Sequence, residues 1–276
     1  MAGALRKAYV TVPIRRIQRG RNHAYTINGH NAVGVTTALS KGLPKPALVP
    51  WGARCVAEEA APLLMADDAL VRAYLAEHHI TTDRALVEYL KKAPERIRDG
   101  AAVRGTKVHK IAEQLIFGRD DVDVPEELQG HVDACMLFIK EWRVRPLLVE
   151  HTVGSYRWGY AGTFDLIAEL PDGRRVLFDY KTGKSGVWPE TALQLAAYRY
   201  ADAYVAPDGT EIPMKDVGVT EAKAVWVRAD GYDVIPLNTD GHVFKVFLHV
   251  LQVAKAVDEM KSWKGDMERA PWMKTS

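Results

Sequence analysis

Residues 162–183 read GTFDLIAELPDGRRVLFDYKTG. Two runs of β-type residues flank Pro171-Asp172-Gly173, a combination that closes a tight turn, so the stretch is expected to be a β-hairpin. Along a strand, residues i and i+2 share a face, which puts Asp179 and Lys181 together. The short connection sets the two strands side by side and brings Asp165 near them. Two carboxylates and an ammonium then meet beside Phe, Leu and Ile. Like charges brought together in such surroundings are costly unless compensated. A divalent cation held by hard oxygen ligands is the natural compensation, and Mg²⁺ or Mn²⁺ suits such a site.

The acid-x-Lys pattern occurs three times, at Asp179–Lys181, Glu221–Lys223 and Glu259–Lys261. The third falls in an expected helix, where i and i+2 diverge. The second is expected to precede a strand and has no acidic partner on a hairpin. Only the first combines a preceding strand bearing an Asp, a tight turn and a following helix.

Working outward, LLVEHTVGSYRW (147–158) and GYAGTFDLIAEL (159–170) read as the strands before RRVLFDYKTG (174–183). A helix, ETALQLAAYRYADAYV (190–205), is expected next, then a strand at 223–229, a short β piece at 232–237 and a helix from Gly241 to Trp263. On the N-terminal side, YTINGHNAVGVTTALS (25–40) reads as a small hairpin turning at Asn28–Gly29 and leading into a helix. Pro44, Pro46 and Pro50 punctuate a loop. Helical spacing then runs from Trp51 to His78, broken near Pro62, with further helices over 82–92, from Arg96 to Phe117, and from Pro125 to Trp142. The expected fold is α/β, a mixed central sheet flanked by helices. A mostly helical N-terminal region (1–95) would precede the main unit (96–276).

Among the 276 residues, 47% are hydrophobic and 26% charged, ordinary for a globular chain. With 37 Lys and Arg against 35 Asp and Glu, bulk charge neither demands nor excludes a nucleic-acid partner. Cys55 and Cys135 are too few for a Cys₄ zinc site or iron–sulfur cluster. A disulfide between them has no support, and a reduced setting fits better. The N-terminus lacks the apolar core of a signal peptide, and no apolar run is long enough to span a bilayer, so a soluble, cytoplasmic protein is expected.

The string GTFDLI…VLFDYKTG resembles the PD-(D/E)XK nucleases, particularly their RecB-type and phage exonuclease branch. RGTKVHKIAEQL (104–115) is similar to that family's upstream helix, with His109 as its histidine. LQLAAYRYA (193–201) is similar to its Gln-x-x-x-Tyr helix, here Gln194 and Tyr198. Glu150 matches an acidic position in the strand before Asp165. The resemblance covers roughly residues 101–204, with a weaker likeness of 25–53 to the leader of related phage proteins.

The resemblance implies a restriction-endonuclease-like core and a metal held by Asp165, Asp179 and the Tyr180 carbonyl, with His109 and Glu150 as further ligands. It implies that Lys181 positions water, while Gln194 and Tyr198 hold DNA or the site's geometry. Hydrolysis of a phosphodiester needs such a nucleophilic water and a neutralised phosphate. The implied activity is a Mg²⁺/Mn²⁺-dependent DNA exonuclease in phage-type recombination, working beside a single-strand annealing or recombinase protein. An endonuclease on the same core and a non-catalytic DNA-binding or assembly protein are the alternatives. Glu113, one turn after His109, can join the ligands or be solvated; Glu169, at the turn end, reads as surface. The iron–sulfur cluster of some relatives is excluded, and GKS at 183–185 lacks the upstream Gly of a P-loop. Arg157, Trp158, Lys184 and Arg199 are expected near the site, each more simply read as part of a charged rim.

Overall fold

The computed structural model describes residues 13–20, 22–119, 121–266 and 268. The chain opens with three short strands, β1 (Arg15–Arg19), β2 (Asn22–Ile27) and β3 (His30–Gly34), followed by α1 (Val35–Gly42). Four helices follow: α2 (Leu48–Met65), α3 (Asp68–Glu77), α4 (Asp83–Lys91) and α5 (Ala93–Ile116). Helix α6 (Glu126–Glu141) leads into β4 (Arg145–Ser155), β5 (Tyr160–Glu169) and β6 (Arg175–Lys181). The chain continues through α7 (Glu190–Arg199), β7 (Ala203–Val205), β8 (Glu211–Pro213) and α8 (Met214–Val217). It closes with β9 (Glu221–Arg228), β10 (Gly231–Leu237) and α9 (Gly241–Trp263). No helix among the described residues is long and apolar enough to cross a membrane. Cys55 and Cys135 are both free and buried.

The fold is α/β, with a mixed, curled sheet of ten strands. The β4–β5–β6 meander forms its centre, all antiparallel, and β9 adds to β6 in parallel. The β5–β6 turn closes as the Pro-Asp-Gly signal requires. Leu170 and Gly173 donate backbone bonds to Arg174 and Leu170, and Gly173 takes φ +81°. β3 pairs with β5 in parallel through Val33 and Tyr160, and α1 packs on α9. The first strands therefore share the sheet of the C-terminal half.

Two apolar layers cover the sheet. On one face α1, α7 and α9 bury Leu39, Leu195, Phe247 and Leu251 against Phe164, Ile167 and Leu177. On the other, α5 and α6 bury Val108, Ile111, Val132 and Phe138 against Leu166, Phe178 and Val225. Phe164 and Leu166, which strict alternation would put on one face, belong to opposite layers; so do Val149 and Val153 of β4. Both strands change face around one point, where Glu150 adopts φ +54°.

Several expected boundaries move. The helix over 190–205 ends at Arg199, and Ala203–Val205 forms β7 against Val153 and Gly154 of β4. Tyr204 and Val205 suit a strand, and free edge bonds on β4 outweigh continued helix. The N-terminal helical run does not break at Pro62, which sits in the last turn of α2. There the missing N–H leaves only the Glu58 carbonyl without its helical partner, and Glu58 is on the exposed face, where water can reach it. The break comes at Ala66–Asp67, where the Asp67 carboxylate accepts from the N–H groups of Ala69 and Leu70 and caps α3. Glu221–Lys223 lies inside β9, not before it, with Lys223 Nζ on Glu221 Oε2 at 2.6 Å. β1, β8 and α8 carry no strong period and are visible only in the structure.

Candidate metal centre

The site forms where the sheet forks. One edge of β5 is paired along its length with β4; the other is shared, with β3 holding Tyr160–Ala161 and β6 holding Leu166–Glu169. Asp165 lies at the point of divergence, directly before the β6 ladder begins. Its Oδ2 accepts from the Tyr180 N–H at 2.7 Å, taking the place of a ladder bond. Side chains from both covering layers reach this opening.

From the α5 side comes His109. Its Nε2 lies 3.1 Å from the Tyr180 carbonyl oxygen, a bond that requires the proton on Nε2. Nδ1 faces Asp165 Oδ2 at 3.7 Å. From β4 comes Glu150, opposite Asp165. His109, Glu150 and Asp165 each offer a ligand atom within 4.8 Å of the others. The left-handed backbone at Glu150 is strained for a residue with a Cβ, on the order of 1–3 kcal/mol. Burial, followed by repulsion from Asp165 and Glu113, pushes the Glu150 carboxyl up to about 8, while Arg16 pulls the other way.

From β6 come Asp179 and Lys181, on the face toward α7. Asp179 is 2% exposed. Its Oδ1 accepts from Gln194 Nε2 at 2.9 Å, and Lys181 Nζ stands 2.6 Å from Oδ2. That ammonium is not aligned for a hydrogen bond, so among the described residues Oδ2 is buried without a well-directed donor. Burial raises the Asp179 pKa, Lys181 opposes this and Asp165 adds to it, with a net result of about 6. For Lys181, burial disfavours the charge, but Asp179 and Asp165 overcome it and hold the pKa above the usual lysine value.

Gln194 joins the group: its Oε1 accepts from Lys181 Nζ at 3.2 Å and its Nε2 also donates to Tyr198 Oη at 3.3 Å. Tyr198 fits because Gly162 has no side chain; a Cβ there would stand 2.5 Å from Tyr198 Cε1.

The structure thus gathers His109, Glu150, Asp165, Asp179, Tyr180, Lys181, Gln194 and Tyr198 around one fork. Asp179 does not point into the His109–Glu150–Asp165 group; it is held by Lys181 and Gln194. The Tyr180 carbonyl meets the His109 ring. Glu113 and Glu150 line one cleft, and Glu169 pairs with Arg145 and Arg175 at the far turn. Of the basic rim, Arg157 lies over the Trp158 ring on the β4–β5 turn, five strand positions from Asp165, or about 17 Å. Arg199 turns to Thr239. Arg16, whose charge acts on Glu150, has no signal in the sequence beyond a run of arginines.

The donor set fits a hard divalent cation. Three ligand atoms converge from His109, Glu150 and Asp165, one carboxylate is raised into the neutral range, and the histidine is oriented by a backbone carbonyl. No protein-family model matches the chain, and no curated protein matches it.

Proposed function

We propose that the chain is a Mg²⁺- or Mn²⁺-dependent deoxyribonuclease with a restriction-endonuclease-like core, acting as an exonuclease. The observation that carries this reading is the fork itself: Asp165 and Asp179 on adjacent strands, with Lys181 two residues after Asp179 and in contact with it. A cation held by Asp165, Glu150 and His109, with Asp179 beside them, would supply Lewis acidity to a phosphate oxygen and acidify a water.

The chain's own residues do the rest. Lys181 keeps its proton and presents a positive charge at the mouth of the site, where it can orient water and offset charge developing on the phosphate. Gln194 fixes both Asp179 and Lys181, and Tyr198 fixes Gln194. Water adds to phosphorus as the P–O bond breaks, and the leaving oxygen takes a proton. The resemblance to RecB-type and phage exonucleases supports a role in phage-type recombination beside a single-strand annealing or recombinase protein.

The test is cleavage of matched linear and circular DNA with Mg²⁺, Mn²⁺ or EDTA, beside Asp179→Ala and Lys181→Ala. Metal-dependent loss of linear DNA, sparing of circles and inactivity of both folded variants is the expected result. Cutting of circles makes it an endonuclease. Binding without cleavage under either metal leaves a DNA-binding protein.

A further inference from the structure

A cleft of about 550 Å³ opens beside the metal centre, with Glu150 and Glu113 in its lining. Arg15 and Arg16 of β1 line it too. Phe117, 63% exposed at the end of α5, and His151 of β4 are also part of the lining. The arginine strand is anchored. Ile14, 1% exposed, packs on Gly154, where a Cβ would stand 3.0–3.2 Å from its carbons. The Ile14 N–H donates to Glu211 Oε1 at 2.6 Å, and Glu211 also accepts from the Tyr156 hydroxyl. β1 is then held along its length by β2, from Arg15 opposite Thr26 to Arg19 opposite Asn22.

The volume lies within the roughly 300–1,000 Å³ of small-ligand sites. Paired arginines suit phosphates, and an exposed aromatic ring suits a base. The two glutamates would repel phosphates unless a cation lay at Glu150. We propose that this cleft binds single-stranded DNA next to the metal centre, with phosphates on Arg15 and Arg16 and a base on Phe117. Occupancy of the metal centre and of the cleft would then be coupled. The choice of ligand rests on the nuclease reading.

The test is fluorescence anisotropy of the full chain with a labelled oligo-dT or a duplex of equal length, in Ca²⁺ or EDTA. Wild type is expected to bind the single strand more tightly than the duplex, and more tightly in Ca²⁺ than in EDTA. Arg15→Ala/Arg16→Ala should lower the slope of log affinity against log salt by about 1.4, at about 0.7 per phosphate contact. Phe117→Ala should weaken binding at least about 5-fold, the low end for one stacked base. Arg157→Ala, outside the cleft, should change neither. Cleavage assays should show a raised KM with little change in kcat for the cleft variants. Equal affinity and slope in wild type and the double-arginine variant would overturn the proposal while leaving metal-dependent cleavage intact. Failure of wild type to bind the single strand overturns it as well. If wild type cleaves nothing but binds the strand through the two arginines, the nuclease reading falls and the cleft assignment stands.

Discussion

Replacing Glu150 with Gln tests whether the fork is a charge arrangement completed by a cation. Without metal, the folded Glu150 carboxyl is raised from 4.5 to about 8, first by burial and then by Asp165 and Glu113. Between those values the unfolded chain is ionised at this residue while the folded chain keeps the proton. The unfolded state therefore binds fewer protons, and stability falls as pH rises toward 8. The limit is about 1.4 kcal/mol per pH unit. Allowing about half for residual solvent contact gives about 1.4 kcal/mol between pH 6 and 8. For a chain of this size that is about 3–6 °C in Tm. Glu150→Gln has no such proton to lose, so its melting temperature should change less by that amount over the same range. Mn²⁺ at about 100 times its Kd should stabilise wild type at pH 8 by about 2.7 kcal/mol, or about 5–10 °C. At pH 6 the cation must displace a proton, and a higher Mn²⁺ concentration is needed for the same shift. The glutamine variant should lose most of the gain at either pH. Differential scanning fluorimetry at both pH values, with Mn²⁺ or EDTA, gives all the numbers. Parallel pH profiles of the two metal-free proteins, or an equal Mn²⁺ shift in both, would refute the reasoning.

Three other perturbations have defined outcomes. Gly162→Ala should destabilise by about 1–3 kcal/mol in urea denaturation, because its Cβ meets the buried Tyr198 ring at 2.5 Å. Lys181→Met removes the cation that lowers the Asp179 pKa, raising it further; metal-free stability of the variant should then fall more steeply than wild type as pH rises from 6 to 8, read in the same assay. Gln194→Leu should lower activity by about 10–100-fold while the metal-free fold survives, checked by kinetics beside circular dichroism.

What could be read from the sequence depended on local period. The hairpin turning at Asp172–Gly173 and the shared face of Asp179 and Lys181 follow from a two-residue repeat, and the Gln194–Tyr198 contact from a four-residue helical step. Glu150 was visible only by resemblance, because nothing in VEHT announces a left-handed backbone or two strands changing face. Arg15 and Arg16 were missed for a related reason. β1 is exposed throughout, so it has no apolar alternation, and its position depends on Ile14 meeting Gly154 from 140 positions away. β7 was lost inside a helix because the pairing of Ala203 with Gly154 is a tertiary contact that propensity does not contain.

The sheet topology also bears on the order of folding. β4, β5 and β6 are neighbours in sequence, linked through residues 156–159 and 170–174, so their ladder closes with small loop entropy. β3 must cross from Val33 to Tyr160 to find its place, and β1 is tied in through β2, Ile14 and Glu211. The meander that holds Glu150, Asp165 and Asp179 can therefore form before the arginine-bearing ribbon docks, and the ribbon can detach without it. In native-state hydrogen exchange, amides of Leu166–Ala168 and Val176–Tyr180 should open only with global unfolding, whereas those of Ile17–Arg19 and His23–Ile27 should exchange by local opening.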